Sequence, residues 1–417
     1  MKRIFSLMLV AVLLLTLGST LLSSCSSGEV ETIYVYNWGE YISDGSEGSR
    51  DVNREFELYC ERVLGRKVKV NYSTFSSNED MYAKISSGSS SYDVIVPSDY
   101  MIQRMVKEGL LEPLDISKIP NYRYIDDRFK GENVYYEEET YDPATDLIYS
   151  VPYFYGMVGV IYNESIVAEN DEDIGSWSLM WDEDYIGDIL QFNNSRDAFG
   201  TALYYLGYDV NHATEAQWRE ALELLKKQKN VVQGYVMDEI FNKMKSGSAA
   251  VAAYYAGDYL SMYEDNEDLA FFYPKEGTNL YVDAMCVPKS AQNKDLAMEY
   301  INFMCEKENG VANALYTYYA SPLTTVVADE GYRAEMEAVH EDAMDILYGD
   351  AIHVPTQAYL NLAPEQLDLL NDLWEELKVE SSIGVGIYIG CGAIVLALAA
   401  LGIYQLLKKR RWARLYD

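Results

Sequence analysis

The chain has 417 residues, well above the roughly 150 of a typical domain, so its length predicts more than one folding unit. Hydrophobic residues make up 49% of the chain and aromatic residues 13%, including 38 tyrosines, which excludes an intrinsically disordered protein. The 33 Lys and Arg residues against 66 Asp and Glu give a net charge of −33, so nucleic acid is excluded as a partner and a cationic partner is favoured.

The N-terminal segment has the pattern of an export signal. Lys2 and Arg3 precede an uncharged apolar run over residues 4–22, which ends in small residues before Cys25. This pattern resembles a bacterial lipoprotein signal peptide. We therefore expect a signal peptide over residues 1–24, lipidation of Cys25 and a short tether over residues 25–32. The alternative is an ordinary signal peptide with an accidental cysteine, and either pattern predicts export.

The body of the chain alternates between strand and helix patterns. Thr214 is a suitable N-cap for a helix over residues 215–229, and Asp295 for a helix over residues 296–305. Short apolar or β-branched runs predict strands at residues 33–38, 67–75, 92–97, 156–162, 249–255, 270–273 and 281–287. Such alternation predicts an α/β fold of doubly wound lobes, with helices on both faces of each sheet.

The C-terminal segment has the pattern of a membrane anchor. Residues 383–407 carry no charge, and 25 residues are enough for a helix across about 30 Å of hydrocarbon. Four basic residues, 408–411, follow at once. By the positive-inside rule, residues 408–417 form a cytoplasmic tail and residues 25–382 face outward. The two basic ends carry a net +6, which leaves −39 on residues 4–382.

The cysteines and histidines argue against a disulfide framework and a zinc site. With Cys25 assigned to the lipid and Cys391 to the membrane helix, Cys60, Cys286 and Cys305 remain, an odd number. Buried thiols are expected at Cys286 and Cys305, with a bridge between them as the alternative. The three histidines are far apart and the chain has no CxxC motif, so we expect no metal and no cofactor.

Aromatic and carboxylate side chains recur together around the ends of the predicted strands. Ligands of open α/β sheets bind at these positions. The combination suits a flexible organic cation, because carboxylates accept charge-assisted hydrogen bonds from ammonium groups and rings cover the methylenes. The segments concerned are residues 38–41, 98–100, 191–197, 254–255 and 281–283.

The sequence around these segments resembles a known family. The stretches IYVYNWGEY (33–41), YSTFSSNEDMYAK (72–84) and YDVIVPSDY (92–100) are similar to those of the spermidine/putrescine-binding proteins of bacterial ABC importers. The resemblance covers about residues 31–378, in the family's order and spacing. Further matches are residues 149–153, 273–277 and 301–303.

The resemblance implies a two-lobe periplasmic-binding-protein fold with hinge crossovers near residues 156, 283 and 328. Lobe 1 would comprise residues 33–157 and 284–328, and lobe 2 residues 158–283 and 329–380. The lobes would close around an extended polyamine, spermidine or putrescine, and present it to the permease subunits of an ABC importer. On this reading the protein is a receptor and not an enzyme.

The resemblance also implies which residues contact the polyamine. Trp38 and Tyr255 would stack on its aliphatic chain, with Tyr255 standing where many relatives have Trp. Asp283 is expected to make the central ammonium contact, whereas Asn194 departs from the family's usual pair of acids and leaves Asp197 alone. The expected polyamine-binding set is Trp38, Glu40, Tyr41, Ser98, Tyr100, Asn194, Asp197, Tyr255, Tyr281, Asp283 and Tyr319.

Two other classes of protein remain open from the residues themselves. Glu40 and Asp283 could form the acid and base pair of an exported hydrolase, although no nucleophile–base motif is visible. The other class is a membrane-tethered sensor of an organic cation, for which the tail 408–417 is too short to be a signalling domain. Three acid-rich segments, 137–139, 169–173 and 264–268, are expected to be solvated loops that attract cations at long range.

Overall fold

The structure is a computed structural model that describes residues 30–130, 141–142, 147–349, 353–379 and 402. The predicted signal peptide, the predicted lipidation site Cys25, the predicted membrane helix and the predicted basic tail lie outside these described residues, apart from residue 402. Across the described ranges, no helix combines the length and the apolar character that a bilayer crossing requires.

Strands and helices alternate along the described chain. The strands are β1 (Glu31–Trp38), β2 (Val68–Phe75), β3 (Val94–Ile95), β4 (Tyr141–Asp142), β5 (Leu147–Ile148), β6 (Ser150–Asn163), β7 (Ile189–Phe192), β8 (Val232–Val236), β9 (Val251–Tyr255), β10 (Leu269–Phe272), β11 (Thr278–Cys286) and β12 (Thr356–Gln357). The helices are α1 (Val52–Tyr59), α2 (Asn78–Ser86), α3 (Asp99–Lys107), α4 (Ser195–Tyr205), α5 (Glu215–Gln228), α6 (Glu239–Lys245), α7 (Ala256–Tyr263), α8 (Lys294–Met304), α9 (Lys307–Thr317), α10 (Thr324–Val327), α11 (Glu330–Val339), α12 (Ala343–Tyr348) and α13 (Pro364–Val379).

Strand β6 belongs to two groups of strands. Its first part, up to Met157, pairs with β11, which continues the order β2-β1-β3-β11. Its second part, from Val158, pairs with β9 and β10, and the order continues through β7 to β8. We call the β2-β1-β3 group with its helices the first lobe and the β9-β7-β8 group with its helices the second lobe. Strands β6 and β11 therefore run along the junction between the lobes.

The predicted strands are present with shifted ends. Strand β1 begins at Glu31, so the last two residues of the predicted tether belong to the sheet instead. The strand predicted at 92–97 is reduced to Val94–Ile95. The sequence pattern misses β7 and β8, because β7 has only four residues, all buried, and β8 contains Gly234, so neither shows clear alternation. The exact lobe boundaries stay a prediction.

Helix α5 confirms the predicted N-cap at Thr214. The Thr214 side chain accepts the backbone N–H of Gln217, and the Gln217 side chain accepts the backbone N–H of Thr214 at 2.8 Å. This reciprocal capping box satisfies N–H groups that have no partner inside the helix. The apolar face of the helix, which includes Trp218 and Leu225, is buried.

The predicted cap at Asp295 is wrong. Helix α8 begins one residue before Asp295, and Asn293 occupies the N-cap position. Asn293 is tied to the sheet, since its backbone N–H donates to Asp93 at 2.8 Å and its side chain donates to the carbonyl of Thr32 at 2.8 Å. These bonds set the start of the helix, and Asp295 is left exposed in an ion pair with Lys118 at 2.6 Å.

The three cysteines of the described chain are free thiols. Cys60, Cys286 and Cys305 are all buried, which confirms the prediction of thiols at Cys286 and Cys305 and excludes the alternative bridge between them. Burial also raises the pKa of the Cys60 thiol to about 11, so the reactive thiolate is scarce at neutral pH.

Gly159 in strand β6 tests how tightly the junction is packed. A Cβ atom at this position would lie 2.3 Å from the Phe271 ring and 2.6 Å from the carbonyl oxygen of Phe272. We expect Gly159→Ala to lower the free energy of unfolding by about 1–3 kcal/mol, because the carbonyl oxygen of Phe272 is part of the paired backbone of β10 and cannot move aside. Urea unfolding followed by circular dichroism measures the change.

The matched control is Gly234→Ala in strand β8, where nothing lies within 4 Å of the added carbon. This variant should unfold at nearly the same urea concentration as the wild type. Equal midpoints for both variants would show that the junction tolerates the extra methyl group.

Candidate functional site

A cleft of about 880 Å³, its open mouth included, lies between the two lobes. The first lobe contributes Trp38 at the end of β1 and the start of α3, which follows β3. The second lobe contributes the start of α4, which follows β7, and the start of α7, which follows β9. The cleft therefore sits at the carboxyl ends of strands, where open α/β folds bind their ligands.

The cleft brings together all eleven residues of the predicted polyamine-binding set. They come from six separate places in the sequence and line one continuous surface. Their roles as ligand contacts stay a prediction. The lining residues concerned are Trp38, Glu40, Tyr41, Ser98, Tyr100, Asn194, Asp197, Tyr255, Tyr281, Asp283 and Tyr319.

Asp283 lies at the junction of the lobes with both carboxylate oxygens held. Tyr41 donates its hydroxyl to one oxygen at 2.7 Å, and Ser98 donates to the other at 2.6 Å. Asn78 fixes Ser98 in turn, with an amide-to-hydroxyl distance of 3.0 Å. The pairing of β11 with β6 is irregular between Asp283 and Ala284. Burial raises the pKa of Asp283 to about 6, although the two hydroxyl donors act in the opposite direction.

Asp197 is the carboxylate at the start of helix α4. It accepts hydrogen bonds from the Asn194 side-chain amide at 2.7 Å and from the Tyr255 hydroxyl at 2.8 Å. Asn194 is also the N-cap of the helix, because its side-chain oxygen accepts the backbone N–H of Asp197 at 2.8 Å. Burial raises the pKa of Asp197. Asn194 thus orients the carboxylate of Asp197, the one acid in the segment where the family usually has two.

Asp258 is a buried carboxylate that the sequence prediction did not include. It lies in the first turn of α7 and accepts the Tyr319 hydroxyl at 2.6 Å. Burial raises the pKa of Asp258 to about 8, the Tyr319 hydrogen bond lowers it, and the charges of Asp238 and Glu40 raise it further. Its position three residues after Tyr255, at a strand end, is a signal that could have identified it.

The cleft is acidic because seven of its lining residues are carboxylates and one is a guanidinium. Asp99, Asp197, Asp258 and Asp283 are buried, and so is Arg196, the single cation among the described residues that line the cleft. Arg196 donates to the side-chain oxygen of Asn211 at 2.9 Å, and its Nε atom has no partner within the described residues. The seven carboxylates belong to Glu40, Glu79, Asp99, Asp197, Asp238, Asp258 and Asp283.

Three of these acids, Asp99, Glu79 and Asp238, contact other elements that form the cleft. Asp99 accepts the backbone N–H groups of Tyr100 at 2.7 Å and Val282 at 3.2 Å, which ties α3 to strand β11. Glu79 accepts the Tyr100 hydroxyl at 3.0 Å. The Asp238 carboxylate lies close against Gly39, where a Cβ atom would be 2.7 Å away, so the two lobes touch at this point.

Aromatic rings form much of the remaining wall. The rings of Tyr255 and Tyr281 meet edge to face with centroids 5.2 Å apart, and those of Tyr41 and Tyr319 with centroids 4.8 Å apart. The indole N–H of Trp38 and the hydroxyl of Tyr281 are buried and make no hydrogen bond within the described chain. Tyr359, which the sequence prediction missed, also lines the cleft. It lies in an irregular segment where no strand or helix pattern points to it.

One cluster of carboxylates lies outside the cleft. Asp171, Asp173 and Asp182 are close enough for their carboxylates to share one cation, and none of them lines the cleft.

The comparisons with known proteins agree with this geometry. The profile of the bacterial extracellular solute-binding protein family matches residues 56–341. The chain is 30% identical over 345 residues to the spermidine/putrescine-binding periplasmic protein 1 of Haemophilus influenzae, covering 80% of this chain and 89% of that protein. It is 30% identical over 284 residues to the spermidine/putrescine-binding periplasmic protein of Escherichia coli, covering 68% of this chain and 75% of the relative.

Solved structures extend the similarity to the fold. A putative spermidine/putrescine ABC transporter protein from Listeria monocytogenes is 34% identical, with a TM-score of 0.72, covering 84% of this chain and 99% of that one. A spermidine/putrescine ABC transporter substrate-binding protein from Streptococcus pneumoniae is 31% identical, with a TM-score of 0.63 and the same coverage. The α/β periplasmic-binding-protein fold is thereby confirmed, and the chain belongs to the family of bacterial extracellular solute-binding proteins.

Proposed function

We propose that the protein is the substrate-binding component of a polyamine ABC importer, which captures spermidine or putrescine outside the cytoplasm and delivers it to the permease. The observation that carries this proposal is the acidic, aromatic cleft, with seven carboxylates and one guanidinium among its lining residues. The names of the relatives, which include spermidine/putrescine-binding proteins, support the same ligand class.

Three buried carboxylates supply the proposed ammonium contacts. Asp283, Asp197 and Asp258 each accept a tyrosine hydroxyl, which fixes the carboxylate and leaves lone pairs free. A protonated amine at such a carboxylate makes a charge-assisted hydrogen bond, and it compensates a charge that burial has separated from water. The rings of Trp38 and Tyr255 would cover the methylenes between the amines.

The same arrangement accounts for lobe closure. A ligand held by Asp283 at the junction, by Trp38 from the first lobe and by Asp197 from the second contacts both lobes at once. Such a ligand stabilises the closed arrangement because the open one offers only part of these contacts. We propose lobe boundaries at residues 33–157 with 284–328, and at 158–283 with 329–380.

The protein is proposed to work at the outer face of the plasma membrane. A lipid on Cys25 and a helix over residues 383–407 would hold it there, with residues 408–417 in the cytoplasm. The sequence patterns of both ends support this orientation independently. Retention needs only one anchor, so the helix would serve to orient the receptor or to contact the permease.

The proposed function makes the protein a receptor and not a hydrolase. Glu40 is exposed at the mouth of the cleft, and both oxygens of Asp283 are already bound to hydroxyl groups. We therefore assign Asp283 to ammonium binding and not to acid–base catalysis with Glu40.

Calorimetric titration of the full-length protein in detergent tests the ligand class. Putrescine, spermidine and spermine are expected to release heat and saturate at one molecule per chain, because the cleft has charge partners for amines. A neutral sugar and an acidic amino acid serve as controls and should release none. Saturable binding of the sugar with no response to any polyamine would refute the proposed function.

Asp283→Asn tests the central contact. Removing the negative charge while keeping the shape should weaken polyamine binding by about 2–5 kcal/mol, the range for a buried charge pair that loses one partner. Asp295→Asn is the control, since Asp295 is a surface acid remote from the cleft lining. Unchanged affinity in Asp283→Asn would remove Asp283 from the site.

The raised pKa values of Asp283 and Asp258 predict opposite pH trends for binding and for stability. Each carboxyl group must lose its proton to hold an ammonium group, so affinity should fall as pH is lowered from about 9 through the pKa values of about 8 and about 6. Below the pKa of each acid, the polyamine affinity should fall by about tenfold per pH unit for that acid. Calorimetry in buffers from pH 5.5 to 9 measures the profile.

Stability of the ligand-free protein should change in the other direction. A carboxyl group whose pKa is raised by folding stabilises the fold when protonated, and this contribution is lost as pH rises through the folded pKa. The unfolding temperature is therefore expected to fall as pH rises from about 4 to about 8, and Asp258→Asn should flatten the part of this slope between pH 6 and pH 8, above the pKa of Asp283. A slope unchanged in Asp258→Asn would contradict the assignment.

A further inference from the structure

A strap of irregular chain, residues 353–363, runs between α12 and α13 and is fastened to the second lobe. The backbone N–H of Thr278 donates to the carbonyl of Pro355 at 2.9 Å, and β12 pairs with the start of β11. Asn211 donates to the carbonyl of Ala358 at 2.9 Å and accepts the N–H of Leu360 at 2.9 Å. The strap is thus attached to the junction strand β11 and, through Asn211, to the second lobe, so we assign it to the second lobe.

Tyr359 anchors the middle of the strap at the cleft. Its ring lies under the guanidinium of Arg196, 4.5 Å from the centroid, and Arg196 also donates to the carbonyl of Leu360 at 3.4 Å. The Tyr359 hydroxyl fills the space left by Gly200, where a Cβ atom would be only 2.0 Å away. Both Arg196 and Gly200 belong to α4 of the second lobe.

The strap reaches the first lobe at helix α3. The backbone N–H of Asn361 donates to the side-chain oxygen of Gln103 at 2.9 Å. Gln103 is 3% exposed and does not line the cleft. One turn earlier on the same helix, the Tyr100 ring meets the Tyr359 ring edge to face, with centroids 6.4 Å apart.

We infer that the hydrogen bond between Gln103 and the Asn361 backbone is a latch that holds the two lobes closed. It joins the lobes without touching the ligand space, and it requires α3 and the strap to be side by side. Gln103 therefore acts without contacting the ligand. Its bond to Asn361 slows ligand release equally for every ligand that closes the lobes. This inference rests on the proposed function, because release is measured with polyamines.

Gln103→Met tests the latch, since methionine keeps the length of the side chain and removes the acceptor. The rate of ligand release, measured by stopped-flow tryptophan fluorescence on the full-length protein in detergent, should rise about fivefold, the effect of one ordinary hydrogen bond. Spermidine and putrescine should show the same factor. An unchanged release rate, or a factor that differs between the two ligands, would overturn the latch.

Two further variants separate the latch from a general loss of packing. Gln103→Glu retains an oxygen acceptor and should restore release to within about twofold of the wild type. Gln366→Met removes a side-chain bond to the carbonyl of Ala213, between two segments that pack on the second lobe, and should leave the release rate unchanged. If Gln103→Glu releases ligand as fast as Gln103→Met, packing and not the hydrogen bond explains the effect.

A ligand-free measurement keeps the latch testable even if the proposed function fails. Fluorescent labels at the exposed positions Glu61 and Lys227 report the distance between the lobes by single-molecule energy transfer. Gln103→Met should shift the ligand-free population toward longer distances, and an unchanged distribution would overturn the latch. Absence of any polyamine binding in the wild type would refute the proposed function alone.

Discussion

Uncompensated burial of carboxylates is the constraint on which the site depends. Four aspartates are buried around the cleft with one guanidinium among them, and burial raises the pKa of each of the four acids. Leaving such groups ionised without a partner is costly, so the empty cleft favours protons on them. A ligand that brings several positive charges removes this cost, which explains why the same residues can be unfavourable in the empty cleft and favourable in the filled one.

The tyrosine hydroxyls determine how that burial is tolerated. Tyr41, Tyr255 and Tyr319 each donate to a different buried carboxylate, and each also presents a ring to the cleft. A lysine in the same places would neutralise the acid and compete with a cationic ligand. A tyrosine orients the carboxylate without neutralising it. The carboxylate therefore stays available each time a cationic ligand binds and leaves.

The sequence predicted which residues gather in the cleft better than it predicted where strands and helices begin and end. The motif segments around Trp38, Ser98 and Asp283 combine aromatic and acidic residues at strand ends, so local patterns pointed to them. Tyr359 escaped prediction because its relation to the cleft depends on how the strap packs, whereas Asp258 follows a strand end closely enough for the same local pattern to have pointed to it. The sequence pattern predicted Asp295 as a helix cap. The helix begins after Asn293 instead, because the Asn293 side chain is hydrogen-bonded to strand β1, and local sequence patterns do not reveal such tertiary bonds.

The order of strands in the sheet has a consequence for how the chain folds. Strand β3 ends beside β11, where Ile95 pairs with Cys286, and the whole β6–β10 region lies between them in sequence. β3 cannot pair with β11 until strands β6 to β10 have been synthesised, and contacts so distant along the chain form slowly. The growing chain therefore carries unpaired strand edges until β11 arrives, and such edges expose it to aggregation during that interval.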